Sequence, residues 1–196
     1  MPKNAQQSPP RATGPQRVRA LFRSAGGALL ALLALTTLPA LGETEALRTG
    51  DPAPPFTRPG TDGNTHRLSD YAGRWVVLAF FPKAYTGGCT IECKALRDAS
   101  RELGAFDVAY FMASTDNLED NRGFAAQNKA NFPLLSDASK TVAEAYGVLR
   151  DNGLARRWTF YIDPEGIIQR VDRTVDPASA GATLVKNLRS LGAPES

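Results

Sequence analysis

The alternation of apolar and polar positions divides the chain beyond residue 43 into short apolar runs and helix-spaced patterns. Trp75-Val76-Val77-Leu78-Ala79-Phe80-Phe81 is a continuous aromatic and β-branched run, the pattern of a strand buried on both faces. Cys89, Cys93, Leu96 and Leu103 then recur with helical spacing among Lys94, Arg97, Asp98, Arg101 and Glu102, which predicts a helix opened by Cys89. Asp107 to Ala113 reads as a second buried strand, and Asn117 to Asn128 as a helix capped by Asp116 or Asn117. Leu134-Leu135 is a short strand candidate, and Lys140 to Tyr146 a short helix stopped by Gly147. Arg157 to Ile162 and Ile167 to Val171 flank Asp163-Pro164-Glu165-Gly166, a hairpin signal, and Ala178 to Leu191 closes the chain as an amphipathic helix. Nearer the start, the turn signal Asp62-Gly63-Asn64 suits a small hairpin after an extended, Pro-rich lead-in at Glu43 to Arg58. Strands alternating with helices and ending in a hairpin plus helix predict an α/β fold, a mixed central sheet with helices on both faces.

The first 42 residues follow a different pattern. Lys3, Arg11, Arg17, Arg19 and Arg23 occur without an acid and are followed by an apolar run from Ala25 to Leu35, then Ala40-Leu41-Gly42. This is the layout of a secretory signal peptide cut before Glu43, leaving residues 43–196 as one domain; an uncleaved membrane anchor is the competing reading. Removing the segment changes the charge account. The full chain holds 23 Lys and Arg against 20 Asp and Glu, and residues 43–196 hold 18 against 20, so the basic balance belongs to the targeting sequence. The remaining cations are dispersed, which argues against a nucleic-acid surface. Export, to a periplasmic type of compartment, implies a soluble protein with no stable membrane association after cleavage, in surroundings where disulfides persist.

Both cysteines lie in Phe81-Pro82-Lys83-Ala84-Tyr85-Thr86-Gly87-Gly88-Cys89-Thr90-Ile91-Glu92-Cys93, between the buried strand and the helix. The unpaired amides and dipole of a helix N-terminus favour an anion, so a thiolate at Cys89 with a lowered pKa is expected. Gly87 and Gly88 remove bulk beside the thiol, and Thr86 offers a hydroxyl to a thiolate or a bound oxygen. Plainer alternatives exist for each residue. Cys89 alone would be a small buried hydrophobe and Thr86 a helix cap; Pro82 would end a strand. Arg157 beside Arg156 would be a solvated charge, Trp75 and Trp158 core aromatics, and His66, the single histidine, a surface residue.

The segment Pro82-x-x-x-Thr86-x-x-Cys89, behind an apolar strand and ahead of Leu96-Arg97-Asp98, resembles the peroxidatic loop of the peroxiredoxins, specifically the bacterioferritin comigratory protein or peroxiredoxin Q group. Gly50 to Phe56, Ser114-Thr115-Asp116, Asn131 to Asp137 and Arg157 to Asp163 extend the similarity in matching order along residues 43–196. The resemblance implies a thioredoxin-like fold and a thiol peroxidase, an antioxidant enzyme of cell redox homeostasis acting without a cofactor or a metal. Cys89 would attack peroxide and become a sulfenic acid. Thr86 would bond thiolate and peroxide, Pro82 would shield the site, and Arg157 would hold the thiolate. Hydrogen peroxide or organic hydroperoxides would be substrates, a thioredoxin-like protein or small thiol the reductant, and the protein a monomer or weak dimer.

One position departs from the pattern. Many relatives carry a resolving cysteine five residues after the peroxidatic one, where this chain has Lys94; Cys93 comes after four. Helical residues four apart have Cα atoms about 6 Å apart, within the span of about 4.4 to 6.8 Å that a disulfide accepts, but their side-chain directions demand that the first turn unwind. Cys93 is therefore either a resolving thiol or a core thiol, with an external thiol reducing Cys89 in the second case. Cys-x-x-x-Cys on such a scaffold also resembles the copper-delivering Sco proteins, with Cys89 and Cys93 as ligands and His66 or Met112 as a third.

Overall fold

The computed structural model describes residues 46–195; the segment expected to be a signal peptide lies outside the described residues. A short antiparallel hairpin, β1 (Thr57–Pro59) and β2 (Thr65–Arg67), is followed by a 3-10 turn at Leu68–Tyr71 and the central strand β3 (Trp75–Phe80). Then come α1 (Gly87–Asp98), α2 (Ser100–Leu103), β4 (Val108–Ser114), α3 (Leu118–Asn128), β5 (Leu134–Ser136) and α4 (Thr141–Ala145). The chain closes with β6 (Thr159–Ile162), β7 (Ile168–Asp172), a 3-10 turn at Pro177–Ser179 and α5 (Ala180–Ser190). The main sheet has the order β5-β4-β3-β6-β7, with β3, β4 and β5 parallel and β6 and β7 antiparallel to their neighbours.

All six residues of β3 are buried, as its unbroken apolar run requires, and the pleat sorts them to two faces. Trp75, Val77, Ala79 and the following Phe81 pack with Cys89, Cys93 and Leu96 of α1, Phe124 of α3, and Leu184, Val185 and Leu188 of α5. Val76, Leu78 and Phe80 pack on the other face with Phe160 and Ile162 of β6, Val142 and Ala143 of α4, and Tyr146. Each fully buried Val, Leu or Phe side chain contributes about 1.5–3 kcal/mol, so both faces are needed to hold β3 in the middle. The helices are unequally shared: α1, α3 and α5 cover one face, while the short α4, the 3-10 turn at Leu68–Tyr71 and the lead-in segment cover the other. α1 and α5 approach so closely that a Cβ at Gly181 would sit 2.2 Å from the Ala95 carbonyl oxygen.

Local chemistry sets the element ends. The Asn117 side chain accepts the Asp120 amide and caps α3, and Gly147, with φ 65°, stops the α4 segment. Three expectations are corrected. The helix begins at Gly87, so Cys89 is its third residue, and it breaks at Ala99, leaving Leu103 on a separate turn, α2. β6 begins at Thr159, so Arg157 lies in its extended lead-in, although the Trp158 carbonyl already accepts the Phe80 amide at 2.8 Å. His66 is buried, not at the surface: its Nδ1 lies 2.5 Å from the Tyr71 hydroxyl, its Nε2 3.0 Å from Asp62 Oδ1, and its ring against Phe111. Charge and packing partners contributed by neighbouring segments make that burial affordable for a polar ring.

Candidate active site

Strand β3 ends in the loop 81–86, which delivers the chain to the N-terminus of α1 beyond the carboxyl end of a parallel strand, the position where α/β sheets gather function. Thr86 is the N-cap residue and its carbonyl accepts the first intrahelical bond, from the Thr90 amide at 2.9 Å. The amides of Gly87, Gly88 and Cys89 precede that ladder and are the natural anion donors of the helix. The Thr86 hydroxyl makes no capping bond; it donates to the Lys83 carbonyl at 3.0 Å. Its proton is thereby engaged, which leaves the oxygen only as an acceptor. Pro82 is half-buried between buried Phe81 and the loop.

Cys89 is fully buried, and its sulfur accepts a hydrogen bond from Arg157 Nη2 at 3.3 Å. These two residues are 68 positions apart, and sheet register brings them together. Ala79 pairs with Thr159 across β3 and β6, so Thr159, Tyr161 and, two residues earlier, Arg157 share the face that α1 covers. Arg156 takes the opposite face, exposed, with its guanidinium 5.8 Å from the Trp158 ring, whose other cationic neighbour is Arg173 at 4.8 Å. Gly88 leaves room for the arginine: a Cβ there would lie 3.1 Å from Arg157 Nη2, close enough to push the guanidinium back by a few tenths of an ångström.

The other guanidinium nitrogen, Nη1, bonds Glu92 Oε2, completing a chain from Glu92 through Arg157 to Cys89. The sequence reading overlooked Glu92. The available signal was its place three residues after Cys89, an acid at a position the helical period turns inward. Glu92 is fully buried and its Oε1 has no hydrogen-bond partner. Burial pushes its carboxyl up to about 7, against the opposing pull of Arg157. For Arg157, burial works against the charge, but Glu92 and the Cys89 sulfur outweigh it and hold the guanidinium above its ordinary range. The arginine is thus a fixed cation, aimed by one carboxylate and presented to one sulfur.

Cys93 is also fully buried, among Leu96, Leu184 and their neighbours, and both cysteines are free thiols. Burial first, and the adjacent Glu92 second, push its thiol up to about 11. The structure therefore unites Cys89, Arg157, Thr86 and Pro82 around one loop and sets Cys93 in the core beneath it. It does not bring His66 to the cysteines, because His66 packs with Tyr71 and Phe111 on the other face of the sheet. Among the described residues no group of three His, Cys, Asp or Glu is placed to hold a metal ion.

Residues 49–171 match the AhpC/TSA family model. The chain is 38% identical over 132 residues to peroxiredoxin Bcp of Escherichia coli, covering 64% of this chain and 85% of that protein. It is 34% identical over 153 residues to a thioredoxin peroxidase of Fasciola hepatica, covering 72% and 78%. The crystal structure of peroxidoxin BcpB from Mycobacterium tuberculosis superposes with a TM-score of 0.67 at 33% identity, covering 74% of this chain and 97% of that one. With the thioredoxin-like sheet, the buried thiol and these likenesses in view, the chain belongs to the AhpC/TSA family, as a peroxiredoxin of the bacterioferritin comigratory protein and peroxiredoxin Q group.

Proposed function

We propose that this thiol-dependent peroxidase reduces hydrogen peroxide and small organic hydroperoxides at Cys89. The hydrogen bond from Arg157 to the Cys89 sulfur carries the assignment. In the first half-reaction the thiolate attacks one peroxide oxygen, an S–O bond forms and the O–O bond breaks. Sulfur loses two electrons and becomes a sulfenic acid, and the departing oxygen takes a proton to leave as water or an alcohol. Negative charge moves from sulfur to the departing oxygen, so donors already in place stabilise the transition state without reorganising. Arg157 Nη2 supplies one of them, and the first-turn amides of α1 supply others. The Thr86 oxygen, its own proton held by Lys83, accepts from the attacked O–H and orients the peroxide. Glu92 keeps the guanidinium aimed.

In the second half-reaction a dithiol of the thioredoxin type, or two small thiols, returns the electrons, releasing water and a disulfide on the donor side. Cys93 acts as a core thiol in the reduced fold: burial and a thiol pushed up to about 11 leave it without a thiolate near neutrality. It meets Cys89 only if the first turn of α1 unwinds. Mass analysis after one equivalent of peroxide tests this. A gain of one oxygen is expected; a loss of two hydrogens, from a Cys89–Cys93 disulfide, rejects it. For Cys89 itself, Cys89→Ser is expected to abolish peroxide consumption, and retained turnover rejects the assignment.

The basic and then apolar pattern of the first 42 residues supports export with cleavage before Glu43. No helix among the described residues is long and apolar enough to cross a membrane. N-terminal sequencing of the protein recovered from fractionated cells is expected to begin at Glu43, and an intact Met1 in a membrane fraction rejects this.

A further inference from the structure

The loop that carries Pro82 and Thr86 is held from behind by a buried carboxylate. Asp116, in the connection from β4 to α3, accepts the Ala84 amide at 2.8 Å, and both residues are buried. Its other oxygen lies 3.7 Å from Lys83 Nζ. Asp116 is itself fixed from three sides. Its amide donates to Ser114 Oγ at 3.2 Å, its carbonyl accepts Ser136 Oγ at 2.7 Å, and Ser114 Oγ donates to Asn121 Oδ1 at 3.1 Å. The carboxylate is thus rigidly tied to β4, β5 and α3 while its acceptor oxygen reaches 32 residues back to the peroxide loop.

The residue after Ala84 shows why the loop needs such a hold. Tyr85 adopts φ 63°, the left-handed region that an aromatic side chain rarely enters, and its ring meets Phe124 of α3 edge-on at 5.6 Å. A strained step of this kind persists only where its surroundings over-determine it. Asp116 fixes the backbone on one side of the step and Phe124 holds the side chain at it. The step turns the chain from Ala84 into Thr86, whose oxygen and following amides must meet the peroxide within a fraction of an ångström.

We propose that Asp116 is a positioning residue for the peroxide step, acting through the Ala84 amide to set the conformation of residues 82–86. The proposal rests on Cys89 being the peroxide nucleophile. A second buried acid provides the control: Asp137 accepts the Ala143 amide at 2.7 Å and pairs with Arg58 at 2.8 Å, at the start of α4 on the other face of the sheet.

The test is stopped-flow oxidation of the reduced protein by hydrogen peroxide, at a temperature where circular dichroism shows each variant folded. Asp116→Ala is expected to slow oxidation of Cys89 by about 10- to 100-fold. Asp116→Asn, which keeps a carbonyl oxygen for the Ala84 amide, is expected within about threefold of wild type, and Asp137→Ala within about twofold. Wild-type kinetics in Asp116→Ala, or an equal slowing in Asp137→Ala, would overturn the proposal. If Asp116→Ala does not fold, hydrogen exchange on the wild-type protein decides: a protected Ala84 amide in the reduced state supports it, and free exchange overturns it. A Cys89→Ser protein run in parallel that still consumed peroxide would remove the underlying reading as well, whereas the other failures overturn this proposal alone.

Discussion

Cys89 and Cys93 stand four residues apart on one helix and both are fully buried, yet their surroundings are opposite. Cys89, in the first turn, receives Arg157 Nη2 at 3.3 Å from a strand lead-in on the other side of the core. Cys93, in the second turn, receives no such donor; apolar neighbours and the acid at Glu92 push its thiol up to about 11. Burial alone therefore says nothing about whether a thiol reacts. What separates the two sites is one guanidinium brought in by sheet register, and one carboxylate, Glu92, which aims that guanidinium at the first sulfur while disfavouring ionisation of the second.

The largest expected effect concerns the thiols directly. At pH 8 a thiol with a pKa of about 11 is ionised at about one part in a thousand. Alkylation of the native, reduced protein followed by peptide mass analysis should label Cys89 and leave Cys93 unlabelled, and equal labelling would erase the contrast. Next is the arginine pair. Arg157→Gln should slow oxidation by peroxide about 10²- to 10³-fold, as expected for removing one preorganised donor, while Arg156→Gln on the opposite face should stay within about twofold. Similar losses in both would mean that general surface charge, not the Cys89 contact, matters.

Glu92, between the two thiols, gives a pH signature. Its carboxyl is raised from 4.5 to about 7 in the folded protein, so the fold binds an extra proton between those values. Its stabilising contribution is full below about 4.5 and is lost as pH rises through about 7, by up to about 3 kcal/mol. Urea unfolding across that window should show wild type losing stability relative to Glu92→Gln, and parallel curves would contradict the shift. The smallest effect is Cys93→Ala, which removes one buried sulfur and should cost on the order of 1 kcal/mol in stability while leaving the peroxide step unchanged.

Much of this was legible in the residues. The run Trp75–Phe80 announced a strand buried on both faces because every position in it is apolar, and the Asn117 cap and Gly147 stop were set by chemistry local to them. The resemblance of the segment 82–89 to a peroxidatic loop was readable too, because its proline, threonine and cysteine lie within eight residues of each other. His66 and Glu92 were not. A polar residue is expected outside unless partners are visible, and the partners of both, Tyr71 and Asp62 for one and Arg157 for the other, are chosen by packing.

The amino-acid sequence by itself determined the order of most elements and, through the resemblance its residues carry, the family, since periodicity, caps and turns depend on neighbours a few residues away. Arg157 was named from the resemblance and lies at the sulfur, but only the tertiary structure decided that Glu92 aims it, that Asp116 holds Ala84, and that Cys93 sits in the core. Those contacts join residues from different elements. Their formation depends on the pairing of β3 with β6 and the packing of α1 over both, a register that no local pattern encodes.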